Sequence, residues 1–300
     1  FQAFVERNDL KRFATENATD EEVTRAFLKG EMQGDVIKDL VAFLRQVRYP
    51  LSVRSSSLLE DAQFKPYAGL YQTCMIPNSH PDLRVRMEQL IIAVKLVYAS
   101  TWFESPKAFS RTVAGQPQEE AMAVVIQQLA GDAYGGWFYP ALSGVAQSHN
   151  FYPVEMMKPE EGVVQMALGF GKTVVEGEKS LRFSPRYPEV LPQFSRVEDM
   201  LQNSQRFFYS LPLDKGQDGV CLEDFPQLEK RDVYDARGEY PVTALASTYD
   251  PEEHRIRDTG EGPGGRIVTF ARILKHRQLP LPGLLADLLE IGRKKMGCPV

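Results

Sequence analysis

One stretch decides the fold of this 300-residue chain: Val53-Arg54-Ser55-Ser56-Ser57-Leu58-Leu59-Glu60-Asp61, followed by Ala68-Gly69-Leu70-Tyr71-Gln72-Thr73. It predicts a buried strand end that presents an arginine and hydroxyl groups, then an acidic step, then a loop that contains a glycine. An arginine side chain can hold two phosphate oxygens at once. A glycine lets a backbone N–H group approach a phosphate, because no Cβ stands in the way. The stretch therefore indicates a phosphate site centred on Arg54.

Arg54 also has a purely structural alternative. An arginine at a strand end often pairs with a nearby carboxylate, and Glu60 and Asp61 are close in sequence. A short motif of this kind matches by chance in many proteins. The choice between the two interpretations therefore depends on the rest of the chain.

The composition argues against several classes of protein. The formal net charge is −5, which gives no general attraction to nucleic acid or to an acidic membrane. No apolar run approaches the roughly 20 residues that span a bilayer, and no signal peptide opens the chain. The three cysteines, Cys74, Cys221 and Cys298, are too far apart to suggest a disulfide framework or a zinc site. A reducing cytoplasm fits best, with neither nucleic acid nor a membrane as partner.

Both ends of the chain look like interior sequence. The chain opens at Phe1, without Met, inside a helical pattern. It closes on Gly297-Cys298-Pro299-Val300, where a strand is expected to begin after an amphipathic helix. We therefore expect that it is a piece of a longer polypeptide.

The apolar periodicity predicts helices first and strands later. Thr19 and Glu22 have the spacing of a capping box. Helical spacing continues through residues 36–47, and the clearest helix is predicted at 84–103. A further helix is predicted at 197–209, and strands are predicted at 51–53, 121–130, 134–139, 162–168, 242–249 and 266–270. The pattern is that of an α+β fold with a helix-rich first lobe, residues 1–111, and a mixed second lobe, residues 112–300.

Three further blocks follow the first stretch: Ala93-Val94-Lys95-Leu96-Val97-Tyr98-Ala99-Ser100, later followed by Arg111; Met122-Ala123-Val124-Val125-Ile126-Gln127-Gln128-Leu129; and Ala167-Leu168-Gly169-Phe170-Gly171-Lys172-Thr173-Val174-Val175-Glu176-Gly177. In order and spacing, the four blocks resemble the nucleotide-binding domain of phosphoenolpyruvate synthase and pyruvate phosphate dikinase. That family carries V-R-S-[SG], E-D, [AP]-G-x-x-[DE]-T, A-I-K-x-V-x-A-S, A-V-x-V-Q-x-M and G-L-G-E-x-V-V-x-G. The resemblance is specific between residues 53 and 177 and weak outside them.

The resemblance implies a two-lobed ATP-grasp-like fold in which two lobes clamp ATP. It places Arg54 on the phosphates as the catalytic arginine, and it places Gly69, Gln72 and Thr73 in the loop that covers them. It makes the strand end at Gln127, Gln128, Leu129 and Ala130 the hinge whose backbone groups recognise adenine. A solvated strand end is compatible with this role, because backbone atoms carry it.

Two residues depart from the family pattern. Tyr139, in Gly135-Gly136-Trp137-Phe138-Tyr139-Pro140, stands where the family has a threonine that faces the phosphates. Lys172 stands where the family has a glutamate. Gly171-Lys172-Thr173 also resembles part of a P-loop, but that motif needs a glycine at the position of Met166, so we reject it.

Other family segments are absent from these 300 residues: an upstream lysine in a G-G-K-x-x-G-like segment, a downstream acidic strand and a Q-x-R segment. Since Mg²⁺ is expected to depend on that acidic strand, we assign no metal ligand here and expect the fragment to be inactive alone. None of the four histidines lies in the setting of the family's phosphate carrier.

The resemblance implies that the intact protein transfers phosphate from ATP through a phosphohistidine to pyruvate, with ATP and Mg²⁺ as cofactors. Its partners would be the phosphohistidine carrier domain and the pyruvate-binding domain of the same chain, and a homodimer is left open. Two alternatives remain: a related dikinase or phosphotransferase with another acceptor, such as a glucan or rifampin, and a non-catalytic nucleotide sensor or scaffold.

Overall fold

The computed structural model describes residues 1–60, 67, 69–112, 121–154, 156–215 and 225–300. Asp61 and Ala68 of the opening motif lie outside these ranges. The described chain is α+β, with several small antiparallel sheets. No helix in these ranges is long and apolar enough to cross a membrane.

The chain divides into two compact units. The first comprises Phe1–Leu129 with Leu211–Leu228, and the second comprises Ala130–Ser210 with Glu229–Val300. The sequence placed the boundary near residue 112, whereas the first unit extends to Leu129. The reason is strand pairing, because the strand after residue 112 pairs with the strand that carries Arg54.

The first unit consists of helices that pack on a three-stranded sheet. Its helices are α1 (Gln2–Arg7), α2 (Asp20–Lys29), α3 (Gly34–Gln46), α4 (Leu83–Ser100) and α5 (Glu104–Thr112), with a 3₁₀ helix at Lys11–Ala14. Its strands are β1 (Leu51–Ser56), β2 (Thr73–Ile76) and β3 (Ala123–Gln128), in the order β2-β1-β3. All pairs in this sheet are antiparallel.

Helix α4 forms the core of the first unit against one face of this sheet. Its apolar residues Leu90, Ala93 and Val97 are fully buried. They belong to the same cluster as Leu51 and Val53 of β1. The helix predicted at 84–103 is thus confirmed, and so is the capping box ahead of α2, in which the Thr19 and Glu22 side chains each bond the other's backbone N–H.

A buried arginine joins α3, α4 and the start of β1. Arg86 is 2% exposed, and its guanidinium donates to Leu44 O at 2.9 Å, Val47 O at 3.1 Å and Asn78 Oδ1 at 3.2 Å. The Asn78 side chain donates in turn to Tyr49 O at 3.0 Å. Carbonyl groups at a helix C-terminus carry partial negative charge, so α3 supplies part of the partner charge for this cation.

The second unit contains three small antiparallel sheets. Its helices are α6 (Lys172–Val175), α7 (Val197–Asn203), α8 (Tyr240–Leu245), α9 (Ala271–Leu274) and α10 (Leu281–Met296). Its strands are β4 (Asp132–Tyr134), β5 (Trp137–Tyr139), β6 (Ser143–Gln147), β7 (Val163–Ala167), β8 (Leu181–Phe183), β9 (Phe207–Pro212, whose last two residues count with the first unit), β10 (Glu229–Asp232), β11 (Ala246–Asp250), β12 (Arg255–Arg257) and β13 (Gly265–Val268). The sheet orders are β10-β9-β5-β4, β6-β7-β8 and β12-β11-β13.

Three predicted elements in this unit are wrong. The strand predicted at 134–139 is a hairpin, because β4 ends at Tyr134 and β5 begins at Trp137, after a turn at two glycines with positive φ. The helix predicted at 197–209 ends at Asn203, and Phe207–Pro212 is a strand. Three consecutive aromatic residues favour a pleated, half-buried surface, and pairing with β5 and β10 overrides the helical spacing. The strand predicted at 242–249 begins only at Ala246, because Pro241 starts the short helix α8 in its first turn.

Candidate functional site

The strand register places three of the predicted site residues on one face of the first sheet. Arg54 lies opposite Thr73 of β2 and Val125 of β3. Gln127 lies opposite Ser52, two residues before Arg54, and therefore points to the same side. Arg54, Thr73 and Gln127 are all exposed. This exposed face of the β2-β1-β3 sheet, which we call the arginine face, is the surface opposite the α4 core.

The Arg54 side chain is exposed on this face. Within the described part of the chain, its guanidinium makes no hydrogen bond and no ion pair. Glu60, one of the carboxylates that could have neutralised it, instead accepts a hydrogen bond from the buried Ser55 hydroxyl. An exposed arginine at the centre of a sheet, with all its donors available, is suited to binding an anion.

The glycine-containing loop (residues 69–72) leads directly into β2 beside Arg54. Gly69 has a φ of +75° and open space where a side chain would begin, a conformation that glycine adopts without strain. Leu70 N donates to Tyr67 O at 3.1 Å. The Gln72 side-chain oxygen Oε1 is buried, and no donor among the described residues bonds to it. The bond between Leu70 and Tyr67 therefore closes a tight turn before the chain enters β2.

Ser100 is a residue beside the candidate site that the sequence analysis did not single out. The Gln72 backbone N–H donates to Ser100 Oγ at 3.0 Å, so the end of α4 holds the end of the loop. The available signal was the last serine of the block at 93–100, a polar side chain at the position where the apolar repeat of α4 ends. Lys95 of the same block donates to Leu28 O at 3.0 Å, and it therefore binds the end of α2 in this structure.

The predicted hinge residues differ in what their backbones can offer. Leu129 is buried, and its N–H donates to Pro50 O at 2.9 Å. Since residues alternate along an antiparallel ladder, the N–H and C=O groups of Gln128 point away from β1, toward the outer edge of β3. Ala130 is exposed and is the first residue of the second unit. Of Gln127, Gln128 and Leu129, only Gln128 has both backbone groups directed to this outer edge.

Tyr139 is part of a buried polar cluster in the second unit. Its side chain is fully buried, and its hydroxyl donates to Glu239, which pairs with Arg231 at 2.7 Å. The Arg231 guanidinium also lies over the Trp137 ring, 4.6 Å from its centre. Burial and then the hydrogen bond to Glu239 raise the pKa of Tyr139. The tyrosine that replaces the family's threonine is therefore bonded within the protein.

Lys172 belongs to a charged cluster on α6, β9 and β10. Its Nζ lies 3.5 Å from Glu176 Oε1 and 4.8 Å from the centre of the Tyr209 ring. The Tyr209 hydroxyl is 2.9 Å from both Glu176 and Glu178, and Lys230 Nζ is 2.7 Å from Glu178. These contacts give Lys172 a role in local structure.

Acidic side chains do not form a cation site in the described ranges. There, no group of three or more His, Cys, Asp or Glu side chains is arranged so that it could hold a metal ion. The arginine face carries a guanidinium, hydroxyls and an amide, which suits an anion. The side chains of the arginine face therefore suit a phosphate group. The described residues contain no set of carboxylates that could hold Mg²⁺.

Comparison with known proteins gives two findings. The family model described as pyruvate phosphate dikinase, AMP/ATP-binding domain, matches residues 2–244. The uncharacterized phosphotransferase YvkC of Bacillus subtilis (strain 168) is 27% identical over 180 residues, which are 58% of this chain and 19% of that protein. The chain therefore spans about a fifth of the length of this relative.

Proposed function

The chain belongs to the family of the AMP/ATP-binding domain of pyruvate phosphate dikinase, and from this premise we propose that its arginine face binds the phosphates of ATP for a phosphotransfer reaction. The observation that carries the proposal is Arg54, which is exposed at the centre of the sheet and makes no hydrogen bond or ion pair with any described residue. Thr73, opposite Arg54, adds a hydroxyl donor on the same face. Gly69 and Gln72 form the loop above this end of the sheet.

The adenine end of the nucleotide is assigned to the outer edge of β3. Adenine needs one backbone acceptor for its amino group and one donor for a ring nitrogen, and an unpaired strand edge offers both. The outward N–H and C=O groups of Gln128 meet this need, while the Leu129 N–H is already bonded to Pro50 O. Gln127 places its side chain on the arginine face, and Ala130 remains a predicted contributor to the hinge.

In this proposal Arg54 holds phosphate oxygens in place and offsets the negative charge that develops during phosphoryl transfer. Mg²⁺ would offset phosphate charge when bound. The described residues supply no carboxylate set for it, and its protein ligands are expected outside them. The two units would correspond to the lobes of an ATP-grasp-like architecture. We further propose that the complete protein passes the phosphoryl group to a histidine of a carrier domain and then to pyruvate, as phosphoenolpyruvate synthase does, in the cytoplasm.

Two other functions would use the same domain: phosphotransfer to a different acceptor, and nucleotide sensing without catalysis. A relative with a different acceptor, a glucan or rifampin, would use the same ATP site, so this chain does not distinguish the acceptors. A non-catalytic nucleotide sensor was suggested by Tyr139 and Lys172. Since both side chains are bonded within the second unit, their presence does not argue against a working phosphate site.

Nucleotide binding tests the proposal directly. ATP and the non-hydrolysable analogue AMP-PNP would be titrated by calorimetry, with Mg²⁺, into the intact protein and into residues 1–300. We expect the intact protein to bind both, and residues 1–300 to bind more weakly. Arg54→Ala should weaken binding about ten- to a hundredfold, the worth of a charge-assisted contact of roughly 1.5–3 kcal/mol.

Arg84→Ala is the matched control, because Arg84 is an exposed arginine of the same unit that lies away from the arginine face. It should leave nucleotide affinity unchanged. If the Arg54 variant folds and binds ATP as well as the Arg84 variant does, Arg54 is not a phosphate ligand. If the intact protein binds no nucleotide, the proposed function is wrong.

A further inference from the structure

Ser100 makes two hydrogen bonds that link α4 to the glycine-containing loop. Its hydroxyl donates to Val97 O at 2.7 Å, one turn back in the same helix, and accepts from Gln72 N at 3.0 Å. Ser100 is fully buried. Gln72 is the last residue of the loop, and the next residue, Thr73, lies opposite Arg54.

A serine near the end of a helix often bonds only to a carbonyl of its own helix. Such a bond within the helix accounts for the contact with Val97 O, but it does not account for the bond from Gln72 N, which joins residues 28 apart in sequence. A hydroxyl has one proton to donate and two lone pairs to accept with. Because the proton is used on Val97 O, an oxygen lone pair remains directed at the loop amide.

The hydrogen bond to Ser100 uses a backbone donor of the loop at the point where strand pairing ends. Gln72 precedes the first residue of β2, and its N–H bonds to Ser100 Oγ where the β1–β2 ladder ends. The loop therefore enters the sheet at a point fixed by α4, which is itself held by the core beneath β1. The positions of the loop and of Arg54 are thereby set by one rigid element.

We propose that Ser100 is a positioning residue: its hydroxyl fixes the Gln72 backbone and so holds the glycine-containing loop at Arg54 before nucleotide binds. The inference rests on the proposed function, because it assigns the loop to ATP. A loop fixed in its binding position loses less conformational freedom when ligand arrives. Removing the hydroxyl would therefore weaken nucleotide affinity without removing any group that touches nucleotide.

The experiment uses the intact protein with Ser100→Ala, and Ser79→Ala as the matched control. Ser79 is an exposed serine of the same unit whose hydroxyl also donates to a backbone carbonyl. Hydrogen exchange would be read at the Gln72 amide, and ATP affinity would be measured with and without Arg54→Ala. We expect Ser100→Ala to speed exchange at Gln72 and to weaken ATP binding roughly fivefold, the worth of one neutral hydrogen bond. Ser79→Ala should change neither.

The Arg54→Ala background separates positioning from a general structural role. If Ser100 places the loop relative to Arg54, its replacement should cost clearly less affinity once Arg54 is gone. An equal loss in both backgrounds, or no loss when Arg54 is present, overturns the inference while the proposed function stands. Absence of ATP binding by the unmodified protein removes the proposed function and this role together. Rapid exchange of the Gln72 amide in the unmodified protein would refute the anchor itself.

Ser100→Cys guards against misfolding of the alanine variant. The thiol fills the buried position and is only a weak donor and acceptor. It should give an intermediate loss of affinity and intermediate exchange at Gln72. Behaviour identical to that of the unmodified protein would count against a role for the hydroxyl.

Discussion

Replacing Arg86 by methionine would test how much the buried cation in α4 stabilises the first unit. The guanidinium donates to Leu44 O, Val47 O and Asn78 Oδ1 within an interior where it is 2% exposed. Burial, and then the nearby Arg48, lower the pKa of Arg86. The guanidinium therefore donates hydrogen bonds to oxygen acceptors in a site where desolvation opposes its charge.

The size of the effect follows from two opposing contributions. Each buried acceptor that loses its donor costs about 1–3 kcal/mol, but Val47 O keeps a long contact of 3.4 Å from the Asn78 side chain. Methionine also avoids the cost of burying a charge, which is on the order of several kcal/mol. We expect the loss of the three hydrogen bonds to exceed the gain from removing the charge, because two of the acceptors, Leu44 O and Val47 O, are carbonyl groups at the C-terminal end of α3. We expect a net loss of about 2–4 kcal/mol in the free energy of unfolding.

Urea denaturation followed by circular dichroism would measure this loss. Arg84→Met is the control, because Arg84 lies on the same helix but is exposed, and it should change stability by less than about 0.5 kcal/mol. Arg86→Lys keeps the charge but not the fork of donors, so it should fall between the two. An Arg86→Met protein as stable as the Arg84 variant, or more stable, would refute the reasoning.

Two further predictions concern titratable groups. Burial raises the pKa of Cys74 to about 12. Iodoacetamide at neutral pH should therefore label the exposed Cys298 in the folded protein, and Cys74 only after unfolding. Peptide mapping by mass spectrometry would measure this, and labelling of Cys74 and Cys298 at similar rates under native conditions would contradict it. The hydrogen bond from Lys230 is the first cause of a lowered pKa for Glu178. Because that pKa lies below its ordinary value of 4.5, the stabilisation is present above about pH 4.5 and is lost as pH falls through the folded-state pKa. Glu178→Gln should therefore flatten the acid limb of a stability–pH curve, and an unchanged acid limb would show that the pair does not contribute.

The parts of the fold that follow from local sequence were predictable. The helix α4 follows from its apolar repeat, and the cap of α2 follows from the spacing of Thr19 and Glu22. The strand β9 was not predictable in the same way, because residues 207–209 fit a helical repeat and become a strand through pairing with β5 and β10. Local periodicity does not report which distant strand is available to pair.

The candidate site was likewise predictable only in those features that depend on local sequence. Family motifs pointed to Arg54, Thr73 and Gln127 separately, but their common face depends on the antiparallel register of three strands. Register is set by packing across the sheet and cannot be read from one strand. The bond between Ser100 and Gln72 joins two elements through space, so no single sequence window contains it.

Among the described strands none pairs with the outer edge of β3, and this edge has a consequence for how the chain behaves in concentrated solution. Outward N–H and C=O groups, such as those of Gln128, form a ready template for a strand from another molecule. A nucleotide bound at this edge would occupy the same groups. If nucleotide binds at this edge as proposed, ligand and self-association would compete for the same backbone donors and acceptors, and a saturating nucleotide concentration would reduce aggregation through the edge of β3.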